Sequence, residues 1–137
     1  MGDPKILRDN RDFKAVYSKG KSLGSKYLVF LYRINKCGYN RRAFLASKKV
    51  GNAVERNRAR RLMKESFRLI AKRKDVLIGD SIAGNTYDMI FVARRNILDV
   101  GCGEVEKTML YLLKKSGVLP AGILSEDGNK HKNKKEN

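Results

Sequence analysis

The sequence predicts an α+β fold: an α/β sandwich with a mixed central sheet of about four strands and three main helices. Segments with strand periodicity and segments with helix periodicity follow the order helix, strands, helix, strand, helix. The length of 137 residues and the 42% hydrophobic content suit one domain with its own core. We assign residues 1–124 to that domain and expect the polar residues 125–137 to form a disordered tail.

The first predicted element is a short amphipathic helix. Asp9 or Asn10 can cap its start, and Gly20 ends it. Its apolar positions fall at helical spacing and are Phe13, Val16 and Tyr17. The following GKSLGSK segment is predicted to be a turn.

Two strand segments come next. YLVFLYRI, residues 27–34, is rich in aromatic and β-branched residues and predicts a strand. Its side chains alternate in two sets, Leu28, Phe30 and Tyr32 against Val29, Leu31 and Arg33. KCGYN then predicts a hairpin turn because Gly38 and Asn40 tolerate positive φ. RRAFLASKKV predicts a second strand or a pair of short strands.

Residues 53–73 predict the longest helix, which starts after Gly51 with Asn52 as a cap. At about 100° per residue, its apolar residues fall within an arc of about 160° that must face the core. These residues are Ala59, Leu62, Met63, Phe67, Leu69 and Ile70.

The remaining elements are a loop, a strand and a helix. Residues 74–87 contain several glycine and asparagine breakers and predict an irregular surface loop. Met89–Ala93 predicts a buried strand, and 104–115 predicts a final helix. That helix has one apolar face, which comprises Val105, Met109, Leu112 and Leu113. We expect the helices to cover one side of the sheet and to leave the other face open for binding.

The net charge of +17 indicates a polyanionic partner or a membrane surface. No apolar run is long enough to span a bilayer, and the N-terminus has no apolar signal core, so we predict a cytoplasmic protein without membrane contact. Cys37 and Cys102 have no metal-ligand or redox spacing, and we expect free thiols. The single histidine, His131, lies in the lysine-rich tail, so neither a histidine-based nucleophile relay nor a zinc site can be built.

The outer face of the long helix is cationic. Arg56, Arg60, Lys64 and Arg68 recur every fourth residue, and Arg58, Arg61 and Lys72 continue the charge around the opposite side. Like charges at this spacing destabilise a helix, so stability alone would favour interleaved glutamates. A nucleic acid therefore explains the face better than solvation does. RNA fits better than DNA, because no helix-turn-helix or heptad pattern is present.

The stretch SKKVGNAVERNRARRLMKESFR resembles the protein subunit of bacterial ribonuclease P, whose signature is an Arg-Asn-Arg helix after a Lys-Lys-x-Gly-Asn-Ala turn. DFKAVYSKGKS is similar to the first helix of that family, and YDMIFVARR to its strand after the basic helix. The resemblance covers roughly residues 5–119. It implies a left-handed βαβ crossover, an exception to the usual hand.

The resemblance also implies a function: a non-catalytic protein subunit of an endoribonuclease whose RNA cuts precursor tRNA at the mature 5′ end, with Mg²⁺ held mainly by that RNA. The catalytic RNA would bind Lys49, Asn52, Arg56, Asn57, Arg58, Arg60, Arg61 and Lys64. The single-stranded 5′ leader of precursor tRNA would bind Phe13, Tyr17, Ser47, Lys48 and, from the first strand, Phe30 or Tyr32. No catalytic residue, protein metal site or small-molecule substrate is expected.

Two alternatives use the same composition. A ribosomal or general structured-RNA-binding protein would be equally basic, and only the motif favours ribonuclease P over it. An autonomous protein nuclease would need clustered carboxylates to hold metal ions. The acids here are scattered, with Asp75, Asp80, Asp88 and Asp99 in loops and at strand ends.

Overall fold

The described part of the chain contains three α-helices and a four-stranded mixed sheet, which confirms the predicted α+β class. The structure is a computed structural model that describes residues 5–73 and 85–119. In chain order the elements are α1 (Asn10–Lys19), β1 (Lys21–Gly24), β2 (Leu28–Asn35), β3 (Arg41–Leu45), α2 (Ala53–Arg73), β4 (Thr86–Ala93), a 3-10 helix (Arg95–Asp99) and α3 (Cys102–Ser116). The predicted tail and residues 74–84 of the predicted loop lie outside the described residues.

The last strand in sequence lies inside the sheet, whose order is β1, β2, β4, β3. β4 is antiparallel to β2 and parallel to β3. The predicted hairpin between β2 and β3 is therefore wrong, although the turn exists and Gly38 has a φ of 89°. β4 takes this position because it is apolar on both faces, and an interior strand is covered on both. The handedness of the β3–α2–β4 crossover stays a prediction.

Helices lie on both faces of the sheet, so the prediction that they cover one side is wrong. On one face, which we call the aromatic face, Phe30, Phe44 and Phe91 stack in a row with ring centroids 4.9 and 5.4 Å apart. The apolar sides of α2 and α3 complete this larger core. On the opposite face, the α1 face, Val16 packs with Ala43 and Ile90 in a second, smaller core.

Both predicted helix starts are confirmed by their caps. The Asp9 carboxylate accepts a hydrogen bond from the Arg11 N–H at 3.0 Å at the start of α1. At α2, the Glu55 N–H donates to Asn52 Oδ1 and the Asn52 N–H donates to Glu55 Oε1, both at 2.9 Å, which is a capping box. α1 ends at Gly20, where a Cβ would lie 2.5 Å from the Tyr32 carbonyl oxygen and would clash.

A buried ion-pair network holds α1 to the sheet. Asp88 in β4 has no exposed surface, and Arg41 in β3 donates to both of its carboxylate oxygens at 2.8 Å. Arg41 also donates to Asp12 in α1 at 3.0 Å. These hydrogen bonds, first of all those to Asp88, raise the pKa of Arg41, so the guanidinium stays charged. The Asn35 side-chain amide donates a further hydrogen bond to Asp88 Oδ1 at 2.8 Å.

Two elements were not predicted. The segment expected to be a turn before the first strand contains β1, which pairs with β2 from Lys21 opposite Tyr32 to Gly24 opposite Val29. The 3-10 helix follows β4 directly.

The predicted free thiols are confirmed for Cys37 and Cys102. Over residues 5–73 and 85–119, no helix has the length and apolar character needed to cross a membrane.

Candidate nucleic-acid interface

The outer side of α2 carries exposed cations, as the helical angles predict. We call Asn57, Arg58, Arg61 and Lys64 the cationic edge, and all four are exposed. The opposite side of the helix buries Ala59, Met63, Phe67 and Ile70 in the larger core, with Leu62 half-buried beside them. The apolar residues therefore fix the orientation of α2 and direct the cationic edge to solvent.

Among the described residues, the cations of this edge have no acidic partner. Among residues 5–73 and 85–119, the acids that form ion pairs are bonded elsewhere, and no ion pair involves Arg58, Arg61 or Lys64. Arg68, one turn beyond Lys64, does pair with Glu65 through a 3.0 Å bond from Nε, which lowers the pKa of Glu65. Arg58, Arg61 and Lys64 thus form one group of unpaired cations on α2, and Lys72, also exposed, lies apart from them in the last turn.

Two of the predicted RNA-binding arginines also hold the backbone. Arg56 Nη1 donates to the Gly51 carbonyl at 2.9 Å, and Arg60 donates to the Ala46 carbonyl and to Asn57 Oδ1. Both side chains are half-buried. A guanidinium has five N–H donors, so these bonds orient the group without using all its donors.

These arginines fix the turn of residues 47–52, which joins β3 to α2. Arg95, which begins the 3-10 helix and was not selected from the sequence, donates to the Val50 carbonyl at 2.9 Å. Gly51 has a φ of 151°, and a Cβ there would lie 2.0 Å from Glu55 Oε1, so the turn requires glycine. The turn presents four exposed polar residues that were predicted as contacts: Ser47, Lys48, Lys49 and Asn52.

A second surface lies on the α1 face, where one row of the sheet remains half exposed. By strand register, Val29, Val92 and Leu45 are direct neighbours across β2, β4 and β3, and each is half-buried. We call this row the open strip. The next two rows on this face are not accessible to a ligand. Ile90 and Ala43 are buried under α1, and Asp88 is buried and bonded to Arg41.

Polar residues follow the strands that form the open strip. Ser47 and Lys48 follow β3 at one end. Arg94 follows β4, and its guanidinium comes within 3.0 Å of where a Cβ would lie on Gly24, the residue opposite Val29. On α1, Phe13 packs against the smaller core, whereas Tyr17 is 54% exposed.

The first-strand aromatics do not belong to this surface. Phe30 and Tyr32 point to the aromatic face, on the other side of the sheet from α1. Phe30 has no exposed area and stacks between Tyr32 and Phe91, so its predicted contact with RNA is wrong. Tyr32 is half-buried and directs its hydroxyl to the Ser116 carbonyl of α3 at 3.5 Å. The alternate set of β2 side chains points to the α1 face instead, and Val29 of this set belongs to the open strip.

The acids of the described residues do not gather into a metal site. In the ranges 5–73 and 85–119, no three His, Cys, Asp or Glu side chains lie close enough together to hold a metal ion. Asp12 and Asp88, which do approach each other, are joined through Arg41. These side chains do not fit a magnesium ion.

The sequence matches the family model described as Ribonuclease P over residues 1–117. It is 39% identical over 109 residues to the ribonuclease P protein component of Alkaliphilus metalliredigens, covering 80% of this chain and 90% of that one. It is 40% identical over 112 residues to the same component of Clostridium botulinum strain Loch Maree, covering 82% and 94%.

Solved structures give the same result for the fold. The RNase P protein of Staphylococcus aureus matches with a TM-score of 0.68 at 27% identity, covering 85% of this chain and 99% of that one. The RNase P protein of Thermotoga maritima matches with a TM-score of 0.64 at 32% identity, covering 80% and 96%.

Proposed function

The chain belongs to the ribonuclease P protein component family, and on that basis we propose that it binds a catalytic RNA and the 5′ leader of precursor tRNA. Membership makes it the protein subunit of an endoribonuclease that processes tRNA 5′ ends in a ribonucleoprotein. In our proposal the catalytic RNA binds the cationic edge, Arg56 and Arg60, and Lys49 and Asn52 of the turn. The open strip, with Tyr17 and Lys48 on its border, holds the single-stranded leader.

The observation that carries the proposal is the unpaired charge of the cationic edge. Arg58, Arg61 and Lys64 are exposed and have no acidic partner among the described residues, so their charge is available to an external anion. Each RNA phosphate that they neutralise releases condensed counterions, with a slope of about −0.7 in log affinity against log salt for single-stranded contacts. The family match favours this partner over the alternative of a ribosomal or general RNA-binding protein.

The open strip suits an unpaired strand. Its half-exposed apolar row offers a surface to bases, and an exposed aromatic ring such as Tyr17 can stack on one of them. Arg94 and Lys48 lie at strand ends beside the row, where they can contact phosphates. The protein therefore contributes affinity and position. Hydrolysis is assigned to the RNA, with Mg²⁺ held there.

The test reconstitutes the chain with the catalytic RNA and a precursor tRNA at low magnesium, with each component also assayed alone. We expect cleavage only when the RNA is present, and enhancement by the protein. Cleavage by the protein alone at the mature 5′ end would overturn the assignment of chemistry to the RNA.

A second experiment tests whether the open strip binds the leader. It compares substrates that have a long leader with substrates that have none. Tyr17→Ala is expected to lose most of the benefit of the long leader, because the stacking ring is gone. Ile34→Ala is the matched control, since Ile34 is equally exposed, at 53% against 54%, but lies on the other face of the sheet. If both variants lost the benefit of the long leader equally, or if Tyr17→Ala kept it, the proposal that the open strip binds the leader would be wrong.

A further inference from the structure

A cavity lies between the turn that joins β1 to β2 and the outer side of α3, away from the cationic edge. It has a volume of about 430 Å³, and its walls are Gly24, Ser25, Lys26, Lys107, Thr108 and Tyr111. We call it the α3 pocket. None of its residues was selected from the sequence, because the turn and the helix are more than 80 residues apart in the chain.

The pocket combines an exposed aromatic ring with positive charge. Tyr111 is 53% exposed, and among the residues described it shares this degree of exposure with only one other aromatic, Tyr17. Lys26 and Lys107 line the pocket and no acid does. Lys115 adds a third cation, with its Nζ 5.6 Å from the Tyr111 ring centroid and 3.2 Å from the hydroxyl to which it donates.

The turn that carries Lys26 is held in place by hydrogen bonds. The Ser25 N–H donates to the Leu28 carbonyl at 3.0 Å, and the Leu28 N–H donates to Ser25 Oγ at 3.2 Å. The Arg94 N–H donates to the Tyr27 carbonyl at 2.9 Å and so ties the turn to the end of β4. The pocket is therefore preorganised, and binding there orders little backbone.

The α3 pocket is continuous with the surfaces already described. A larger cavity of about 730 Å³ shares Ser25 and Lys26 with it and extends to Arg94 and Arg95. Arg94 borders the open strip, and Arg95 holds the turn of residues 47–52. Two acids, Glu55 and Asp99, also line the larger cavity, and Glu55 accepts the Asn52 N–H in the capping box of α2. A path that carries three cations, Lys26, Arg94 and Arg95, thus leads from the open strip to Tyr111.

We propose that the α3 pocket binds an unpaired nucleotide of RNA, with its base stacked on Tyr111 and its phosphates contacted by Lys26 and Lys107. Aromatic stacking beside a cationic groove is the chemistry by which proteins bind single-stranded RNA. The inference rests on the proposed function for its partner and adds a third RNA-binding surface to it. The nucleotide belongs either to the catalytic RNA or to the precursor tRNA, which present the same chemistry.

The test measures two dissociation constants, one for the chain with the catalytic RNA and one for the assembled ribonucleoprotein with precursor tRNA. Tyr111→Ala is expected to raise one of them by at least about fivefold, the lower end of the effect of losing a stacked base. The dissociation constant that changes shows whether the nucleotide belongs to the catalytic RNA or to the precursor tRNA. Tyr111→Phe keeps the ring and is expected to stay within about twofold of the parent.

Lys114→Ala is the matched control, because Lys114 is exposed on α3 but does not line the pocket. The double variant Lys26→Ala with Lys107→Ala should flatten the salt dependence of the same dissociation constant that Tyr111→Ala raises. If Tyr111→Ala does not fold, this double variant tests the proposal in its place. An acidic peptide or other protein partner would leave both constants unchanged, which overturns the proposal. Arg61→Ala is measured alongside: if it weakens RNA binding while the pocket variants do not, only this inference fails, and if Arg61→Ala also has no effect, the proposed function fails.

Discussion

Arg41 and Arg61 are the same residue type in opposite environments. Arg41 lies in β3, with its side chain 15% exposed, and is bonded to two carboxylates, Asp12 of α1 and the fully buried Asp88. Arg61 lies on the outer side of α2, is exposed, and has no carboxylate partner within the described chain. The first arrangement joins three elements of the fold, and the second leaves its charge available.

The difference gives a rule for this strongly basic chain. A cation with an internal acid contributes to the folded state, and a cation without one is available to an external anion. Arg56 and Arg60 lie between the two classes, because they bond to backbone carbonyls and keep further donors. We expect them to affect both stability and RNA affinity.

The largest expected effect is that of Arg41→Ala. It leaves the buried Asp88 carboxylate without its charge partner, and loss of one member of a buried pair costs about 3–5 kcal/mol. Urea unfolding measures the change. The double variant Arg41→Ala with Asp88→Asn should lose less than the sum of the two single changes, because the uncompensated charge is gone. A loss below about 1 kcal/mol in Arg41→Ala would contradict the structural role.

Arg61→Ala should show the opposite profile. Its free energy of unfolding should stay within about 0.5 kcal/mol of the parent, as for an ordinary surface change. Its affinity for the catalytic RNA should fall, and the salt dependence of log affinity should flatten by about 0.7–0.9 for each phosphate that the variant no longer neutralises. Lys36→Ala, an exposed cation in the turn between β2 and β3, is the matched control. If Arg61→Ala destabilised the fold as much as Arg41→Ala, the rule above would be wrong.

The smallest expected effect concerns an ion pair at the surface. Asp9 accepts bonds from the backbone and side chain of Arg11, and these bonds lower the pKa of Asp9 below its ordinary value of 3.8. Its stabilising contribution is therefore fully present above that value and is lost as pH falls through the folded-state pKa. The stability difference between the parent and Asp9→Ala should shrink between about pH 6 and about pH 2.

Asp9→Asn is the control for this titration, because it keeps a capping oxygen without a charge. Its stability relative to Asp9→Ala should vary less with pH across the same range. A parent whose advantage over Asp9→Ala grew on acidification would show that the carboxylate is not the favoured form in the folded state.

The local features of α2 could be predicted from the sequence. Asn52 caps it, Ala59, Met63, Phe67 and Ile70 bury its inner side, and Arg58 and Arg61 are exposed. All of these follow from a period of 3.6 residues and from interactions within one or two turns. The motif at Arg56, Asn57 and Arg58 supplied the family, which the matches confirm.

Contacts between distant residues could not be predicted. Alternation in β2 shows that Val29 and Phe30 point to opposite faces, but not which face meets α1. From the sequence, Asp88 was interpreted as one of several scattered acids. In the structure it pairs with Arg41, 47 residues away in sequence. β1 was missed because a four-residue strand that includes glycine, serine and lysine has little intrinsic strand preference.

The position of β4 affects how the chain folds as it is synthesised. β2 and β3 flank this strand and have no ladder with each other, so in this sheet β3 has no strand partner and β2 has only β1 until residue 93 has left the ribosome. By then the arginines of α2 have already emerged, whereas the aromatic face that α2 covers is incomplete. The nascent chain therefore offers a polycation before it has a core, and an RNA that binds early would meet α2 before the sheet is closed.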